Sequence, residues 1–174
     1  GEIKRCLNSD VELHKLMQRK ELQLYVKGSI SKNTDITLAS DLDLHVVLSS
    51  KYSIKDWKDN IENAFIDYFG KKNVKRKNIA ITIYPNKNRV STDVIVCVKM
   101  NNVQVNALND STNQLLPFYP TLDENNISEL NALYNSTYSR MVRAFKGLKN
   151  EMFNNNKYKF EKNITSFMIE CLLY

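Results

Sequence analysis

Five residues in this chain have the types and spacing to hold divalent cations and phosphate: Gly28, Ser29, Asp41, Asp43 and Asp93. Eleven residues separate Ser29 from Asp41. Asp41 and Asp43 stand two apart in the run SDLDLHVVL, which reads as a strand. Both carboxylates therefore point to one face, while Leu42 and Leu44 point to the other, into a core. Asp93 lies in a second apolar run, RVSTDVIVCV, and shares a face with Ile95 and Cys97. If these strands are neighbours, three acids converge. Acids in apolar strands are costly to desolvate, and they repel one another unless something positive joins them. Two Mg²⁺ ions about 3.5–4 Å apart, with Mn²⁺ as the alternative, would reverse that penalty and suit in-line phosphoryl or nucleotidyl transfer. Asp41 and Asp43 would share the ions, and Asp93 would hold the one on the attacking-hydroxyl side. The Gly28-Ser29 backbone N–H and the Ser29 hydroxyl would take β and γ phosphates at a turn, as an anion nest does. Gly-Ser or Asp-Leu-Asp alone is weak; the combination is what points to a metal site.

These residues need elements to position them. The segment SDVELHKLMQRK has a helical apolar pattern over residues 9–20, with Ser9 or Asp10 able to cap it. Leu22 to Val26 reads as a strand that Gly28 ends, the loop Ser31 to Ala39 is polar, and Leu42 to Leu48 is the second strand. Ser53 to Phe69 reads as a helix covering a sheet, through Ile54, Trp57, Ile61, Ala64, Phe65 and Tyr68, and Gly70 stops it. Ile79 to Tyr84 and Arg89 to Val98 flank a PNKN turn and predict a hairpin. Asn101 to Pro120 reads as irregular. Beyond it, Leu130, Leu133, Tyr134, Tyr138, Met141, Val142, Phe145 and Leu148 mark a long amphipathic helix interrupted near Ser136. A further apolar helix, SFMIECLLY, follows Ile164. His45 shares the face of Asp41 and Asp43 and is expected at the rim of the site.

The 174 residues are 43% hydrophobic, enough for one sizeable core or a domain and part of a second. No run of eighteen apolar residues predicts a membrane span, and GEIKRCLNSD does not read as a signal segment. Cys6, Cys97 and Cys171 are odd in number and far apart, which fits a reduced, cytoplasmic protein with mostly buried thiols. A net charge of +6 favours an anionic partner. The one dense basic run, Lys71, Lys72, Lys75, Arg76 and Lys77, reads either as a solvated helix end or loop, or as a surface for a polyanion or nucleic-acid activator.

With these residues assembled, the chain resembles the nucleotidyltransferase superfamily typified by DNA polymerase beta, whose signature matches Gly28, Ser29, Asp41, Asp43 and Asp93. It is most similar to the branch of oligoadenylate synthetases, the metazoan cyclic GMP-AMP synthase and the bacterial cyclic-oligonucleotide synthases of anti-phage systems. TYSRMVRAFKGLKN resembles that branch's long helix, which implies that Lys146 touches the triphosphate. TSFMIECLLY resembles the start of the next helix, which implies phosphate binding by Ser166 and base stacking by Phe167. No Cys/His cluster for zinc is apparent. The resemblance covers Leu24 to Tyr174.

The resemblance implies an α+β fold: a polymerase beta-like core, a mixed sheet backed by helices, plus a partial helical lobe. The expected divisions are a catalytic core over 1–105, an irregular connection over 106–122 and a helical lobe, read as partial, over 123–174. The implied activity is Mg-dependent joining of nucleoside triphosphates into a cyclic or short linear oligonucleotide messenger, with release of pyrophosphate. Transfer of a nucleotide to a small molecule, RNA end or protein is the second reading. An inactive nucleotide-binding sensor is the third. Base preference, linkage, activator and oligomeric state stay open.

Overall fold

The structure, a computed structural model, describes residues 1–36, 41–154 and 164–173. The chain forms two compact units: Gly1–Gly28 with Asp41–Thr121, and Ser29–Ser40 with Leu122–Tyr174. The fold is the expected mixed α+β core with a helical lobe.

The first unit opens with helices α1 (Glu2–Ser9) and α2 (Val11–Gln18). The single helix expected over 9–20 is thus only α2, because Asp10 is extended between the two helices. The Asp10 carboxylate caps α2 by accepting from the Glu12 and Leu13 amides at 3.0 and 2.9 Å. Val11, expected on the apolar stripe, is exposed. Strand β1 (Leu22–Lys27) follows, then the single turn α3 (Gly28–Ser31) and, beyond the undescribed residues, β2 (Leu42–Leu48).

Helix α4 (Ile54–Phe69) begins at Ser53, whose hydroxyl accepts from the Asp56 amide at 3.4 Å, and ends at Gly70 with φ +83°. Ile61 and Phe65 are fully buried against the sheet, which favours folding by about 1.5–3 kcal/mol each. Trp57 is partly buried edge-on to Tyr52, a packing role, whereas Tyr68 faces solvent. The same helix buries Lys58 completely. Its ammonium donates to the carbonyls of Asn78 (3.1 Å) and Leu108 (3.2 Å) and to Asp110 (3.0 Å), so none of its donors is wasted.

Strands β3 (Val74–Arg76), β4 (Ala80–Ile83) and β5 (Thr92–Lys99) complete the order β1-β2-β5-β4-β3. Strands β2 and β5 run parallel, and β4 and β5 form the expected antiparallel pair. Leu44, Val46 and Leu48 stand beside their register partners Val94, Val96 and Val98 on the helix-covered face, where one apolar cluster gathers α1, α2, α4 and the sheet. Residues 101–120, expected to be irregular, instead supply β6 (Val105–Asn109) and β7 (Gln114–Phe118). Strand β5 is long enough to pair β4 through Ile95 and then β6 from Cys97 onward, so a hairpin can attach where β4 ends.

The second unit holds α5 (Pro120–Leu133, from Leu122), α6 (Thr137–Asn154) and α7 (Ser166–Leu173). The expected interruption is present: Asn135 and Ser136 both adopt positive φ, which breaks the helix between α5 and α6. Tyr138 and Val142 form its core with Ile127, with Leu130 and Leu173 packed against them. Leu133, Tyr134, Met141, Phe145 and Leu148, also part of the predicted stripe, are exposed. No helix among the described residues is long and apolar enough to cross a membrane. The thiols are mostly buried, as expected: Cys6 and Cys97 are buried, which pushes both thiols up to about 12, and Cys171 is exposed.

Candidate functional site

The strand register brings two of the predicted acids together. Asp43 on β2 is the direct partner of Asp93 on β5. The row continues through Lys27 on β1, beside Asp43, and through Thr82 on β4 and Lys75 on β3, beyond Asp93. Partners in one row share a sheet face, so two carboxylates lie side by side with lysines at both ends. Asp41 precedes the first residue of β2 and is exposed. The three-acid convergence expected from sequence is therefore narrowed to a pair. Strand β2 has the bounds expected for it, with Asp41 just ahead, and among the described residues no group of three His, Cys, Asp or Glu forms a metal cluster.

Gly28 sits against this pair. Its φ is +69°, and a Cβ there would overlap Asp43 Oδ2 and lie 2.8 Å from the carboxyl carbon. Glycine is thus required twice, once by backbone conformation and once by the neighbouring acid. Gly28→Ala should lose about 1–3 kcal/mol in urea unfolding followed by Trp57 fluorescence. Adding Asp43→Ala should recover part of that loss, because the overlapped atoms are gone. Equal losses in both backgrounds would show that the close approach does not matter.

Asp93 has two cationic or hydroxylic neighbours. Lys77 Nζ donates to Oδ1 at 3.2 Å and Oδ2 at 3.0 Å, and Thr82 Oγ1 donates to Oδ1 at 2.5 Å. Beyond the acids His45 is buried rather than at a rim. It packs edge-on to Phe118 at 6.1 Å, with Cys97 Sγ 4.0 Å from Nδ1, inside the small apolar cluster on that face.

The basic run divides. Lys71, Lys72 and Lys75 are exposed. Arg76 turns inward to Asp59 (2.5 Å), Glu62 (2.7 Å) and Asp110 (2.6 Å). The hydrogen bonds it donates to Asp110, Glu62 and Asp59 raise its already high pKa further, against the effect of burial.

In the helical unit Lys146 is only 4% exposed, which excludes a solvated lysine on the polar side of α6. Its ammonium donates to Glu170 Oε1 (2.7 Å) and to the Thr34 carbonyl (3.0 Å) and hydroxyl (3.3 Å). Glu170 also accepts from Lys32 at 3.1 Å and from Thr34 Oγ1 at 3.0 Å. Arg143 donates to the Asn33 carbonyl at 2.5 Å. The turn from Ser29, whose carbonyl accepts from the Thr34 amide at 2.9 Å, is thereby fastened to α6 and α7. Ser166 is exposed at the start of α7, and the cap there is Thr165, whose Oγ1 accepts from the Met168 amide at 3.1 Å. The side chain of Phe167 lies outside the described residues.

Sequence reasoning missed Lys77, Thr82, Thr34, Lys32 and Glu170. Glu170 carried a usable signal: an acid inside MIECLL poses the same desolvation problem as the strand acids.

Two observations fit a divalent cation here: the Lys77 ammonium stands on both Asp93 oxygens, so the carboxylate already takes a positive partner, and the missing Cβ of Gly28 leaves room for the Asp43 carboxylate beside it.

Residues 125–174 match the family described as the cGAS/DncV-like nucleotidyltransferase C-terminal helical domain. The chain is 27% identical, over 99% of its length and 66% of the relative's, to the cyclic dipyrimidine nucleotide synthase CdnE of Cecembia lonarensis. It is 28% identical, over 88% of its length and 57% of the relative's, to the cyclic GMP-AMP synthase CdnE03 of Staphylococcus schleiferi. The chain thus spans less than two thirds of the length of these relatives. Among solved structures, the Elizabethkingia meningoseptica CdnE cyclic dinucleotide synthase shares the fold with a TM-score of 0.81 at 24% identity, over 99% of this chain and 65% of that one. The helical segment thus matches the cGAS/DncV-like nucleotidyltransferase family, and the chain as a whole is similar in sequence to cyclic nucleotide synthases and shares the fold of one of them.

Proposed function

We propose that the protein is a metal-dependent nucleotidyltransferase that joins nucleoside triphosphates into a cyclic or short linear oligonucleotide and releases pyrophosphate. The observation that carries this is the Asp43–Asp93 pair in direct register with Gly28 against it. The names of the relatives support the product class.

Asp43 and Asp93, with Asp41 ahead of β2, would hold Mg²⁺ or Mn²⁺. When bound, such ions neutralise charge developing on the phosphates and lower the pKa of the attacking hydroxyl. The acceptor hydroxyl oxygen forms a bond to the α phosphorus, the bond from that phosphorus to the bridging oxygen breaks, and pyrophosphate leaves with the electron pair. Asp93 would help to accept the hydroxyl proton. The Gly28-Ser29 turn and Lys146 would bind the donor phosphates, with Ser166 and Phe167 at the phosphate and base. Rate would come from positioning and preorganised charge. Nucleoside triphosphate substrates suit a cytoplasmic protein. Lys71, Lys72 and Lys75, exposed residues of the basic run, are where a polyanion activator would bind.

The test is incubation of the full chain with each labelled triphosphate and their mixtures, in Mg²⁺ and Mn²⁺. Pyrophosphate and a phosphatase-resistant oligonucleotide, formed without added acceptor, are expected. Pyrophosphate only when RNA, a small alcohol or a protein is added would establish the second reading. Triphosphate binding without turnover under any condition would establish the sensor.

A further inference from the structure

We propose that Lys77 is a built-in counter-cation of the metal site: its ammonium occupies Asp93 until divalent ions load, and it must let go as they do. The inference rests on the proposed metal-binding role of Asp43 and Asp93.

The geometry has three parts. Lys77 lies just past the end of β3, in the connection to β4, where its own amide donates to the Ala80 carbonyl at 2.8 Å. Its backbone is therefore anchored to the strand beside β5, while the long side chain remains about half exposed (47%) and able to swing. Second, the ammonium spans both Asp93 oxygens at 3.0 and 3.2 Å, the bridging position that a metal would contest. Third, Thr82 is the register partner of Asp93 and donates to Oδ1 at 2.5 Å. Thr82 is only 3% exposed, so its hydroxyl holds the carboxylate in orientation whichever cation is present. The division of labour follows: Thr82 aims Asp93, and Lys77 offsets the repulsion between Asp93 and Asp43 across the register. A tethered cation tolerates the apo state, but it also competes with every ion that binds and repels it at short range.

Removing the ammonium should therefore tighten metal binding. In Mn²⁺ titrations of the full chain read by electron paramagnetic resonance, without nucleotide, Lys77→Gln should bind Mn²⁺ about 3- to 10-fold more tightly than the wild type. The gain should shrink as salt rises, because the lysine is half exposed. Lys77→Arg, which keeps the charge, should stay within about twofold of the wild type and serves as the check that the connection still folds. In an Asp93→Asn background Lys77→Gln should change nothing, since the contested oxygen charge is gone. Equal or weaker Mn²⁺ binding by Lys77→Gln, with wild-type binding still abolished by Asp43→Asn, would overturn this inference and leave the metal site standing. Wild-type Mn²⁺ binding insensitive to both Asp43→Asn and Asp93→Asn would overturn the metal site and the inference together.

Discussion

Asp43→Asn should leave a protein that folds at least as well as the wild type and has lost at least about 100-fold of its nucleotidyl transfer. The floor comes from metal sites in general, where loss of an outer hydrogen-bond partner alone costs 10- to 100-fold, so loss of a direct ligand charge costs more. The stability half of the prediction comes from the register. Asp43 faces Asp93 directly, and Gly28 approaches its carboxyl so closely that no side-chain carbon fits between. Asparagine keeps the shape that Gly28 accommodates and removes one of two like charges from adjacent strands. Repulsion between those strands falls, and the β2–β5 pairing that organises the unit is untouched. Thermal unfolding in chelator should give a midpoint equal to or above that of the wild type, while pyrophosphate release collapses. A general structural role for Asp43 predicts the opposite pairing of results. Activity within threefold of the wild type would remove Asp43 from the chemistry altogether.

The same strands show what a sequence can and cannot disclose. Asp43 and Asp93 were legible because alternation fixes a strand residue's face, and a charge on an otherwise apolar strand needs a physical reason. The register between the two strands was not legible. It is a property of the paired strands and not of either run alone, and the β6–β7 hairpin hides in a stretch where Pro117 and Pro120 argue against regular structure. Pro117 is tolerated because β7 pairs only with β6. The bounds of β2 were legible, and Asp41 stands one residue ahead of it, a distance at which assigned strand ends carry no weight. The helix break at Ser136 could be read because Asn135, Ser136 and Thr137 put three polar residues in a row between Tyr134 and Tyr138 of the stripe. The assignment of Ser29–Ser40 to the helical unit could not, since it depends on contacts with residues more than a hundred positions away.

Those distant contacts set the second large effect. Glu170→Ala should destabilise the helical unit by about 3–5 kcal/mol, the range for breaking a buried ion pair and stranding its partner. Lys146→Met should cost less. The asymmetry comes from partner counts: Glu170 serves Lys146, Lys32 and Thr34, whereas without Lys146 the carboxylate still keeps Lys32 and the Thr34 hydroxyl. Hydrogen exchange should rise across α6, α7 and the turn after Ser29 in Glu170→Ala, with β2 and β5 amides unchanged. Burial by itself would raise the Glu170 carboxyl pKa, but the Lys146 hydrogen bond and the charges of Lys32 and Lys146 outweigh it and hold the group below its ordinary 4.5. A carboxyl lowered on folding contributes stability that is fully present above its unfolded value and is lost as pH falls through its folded value. The helical unit should therefore soften below about pH 4.5 in the wild type and show a flatter acid limb in Glu170→Gln. If Lys146 also binds the donor phosphates, Lys146→Met loses triphosphate affinity at temperatures where it remains folded. Glu170→Gln, by weakening the hold on the ammonium while retaining a partner, should then bind triphosphate at least as tightly as the wild type. Parallel loss of affinity and stability in both variants would confine Lys146 to holding the fold.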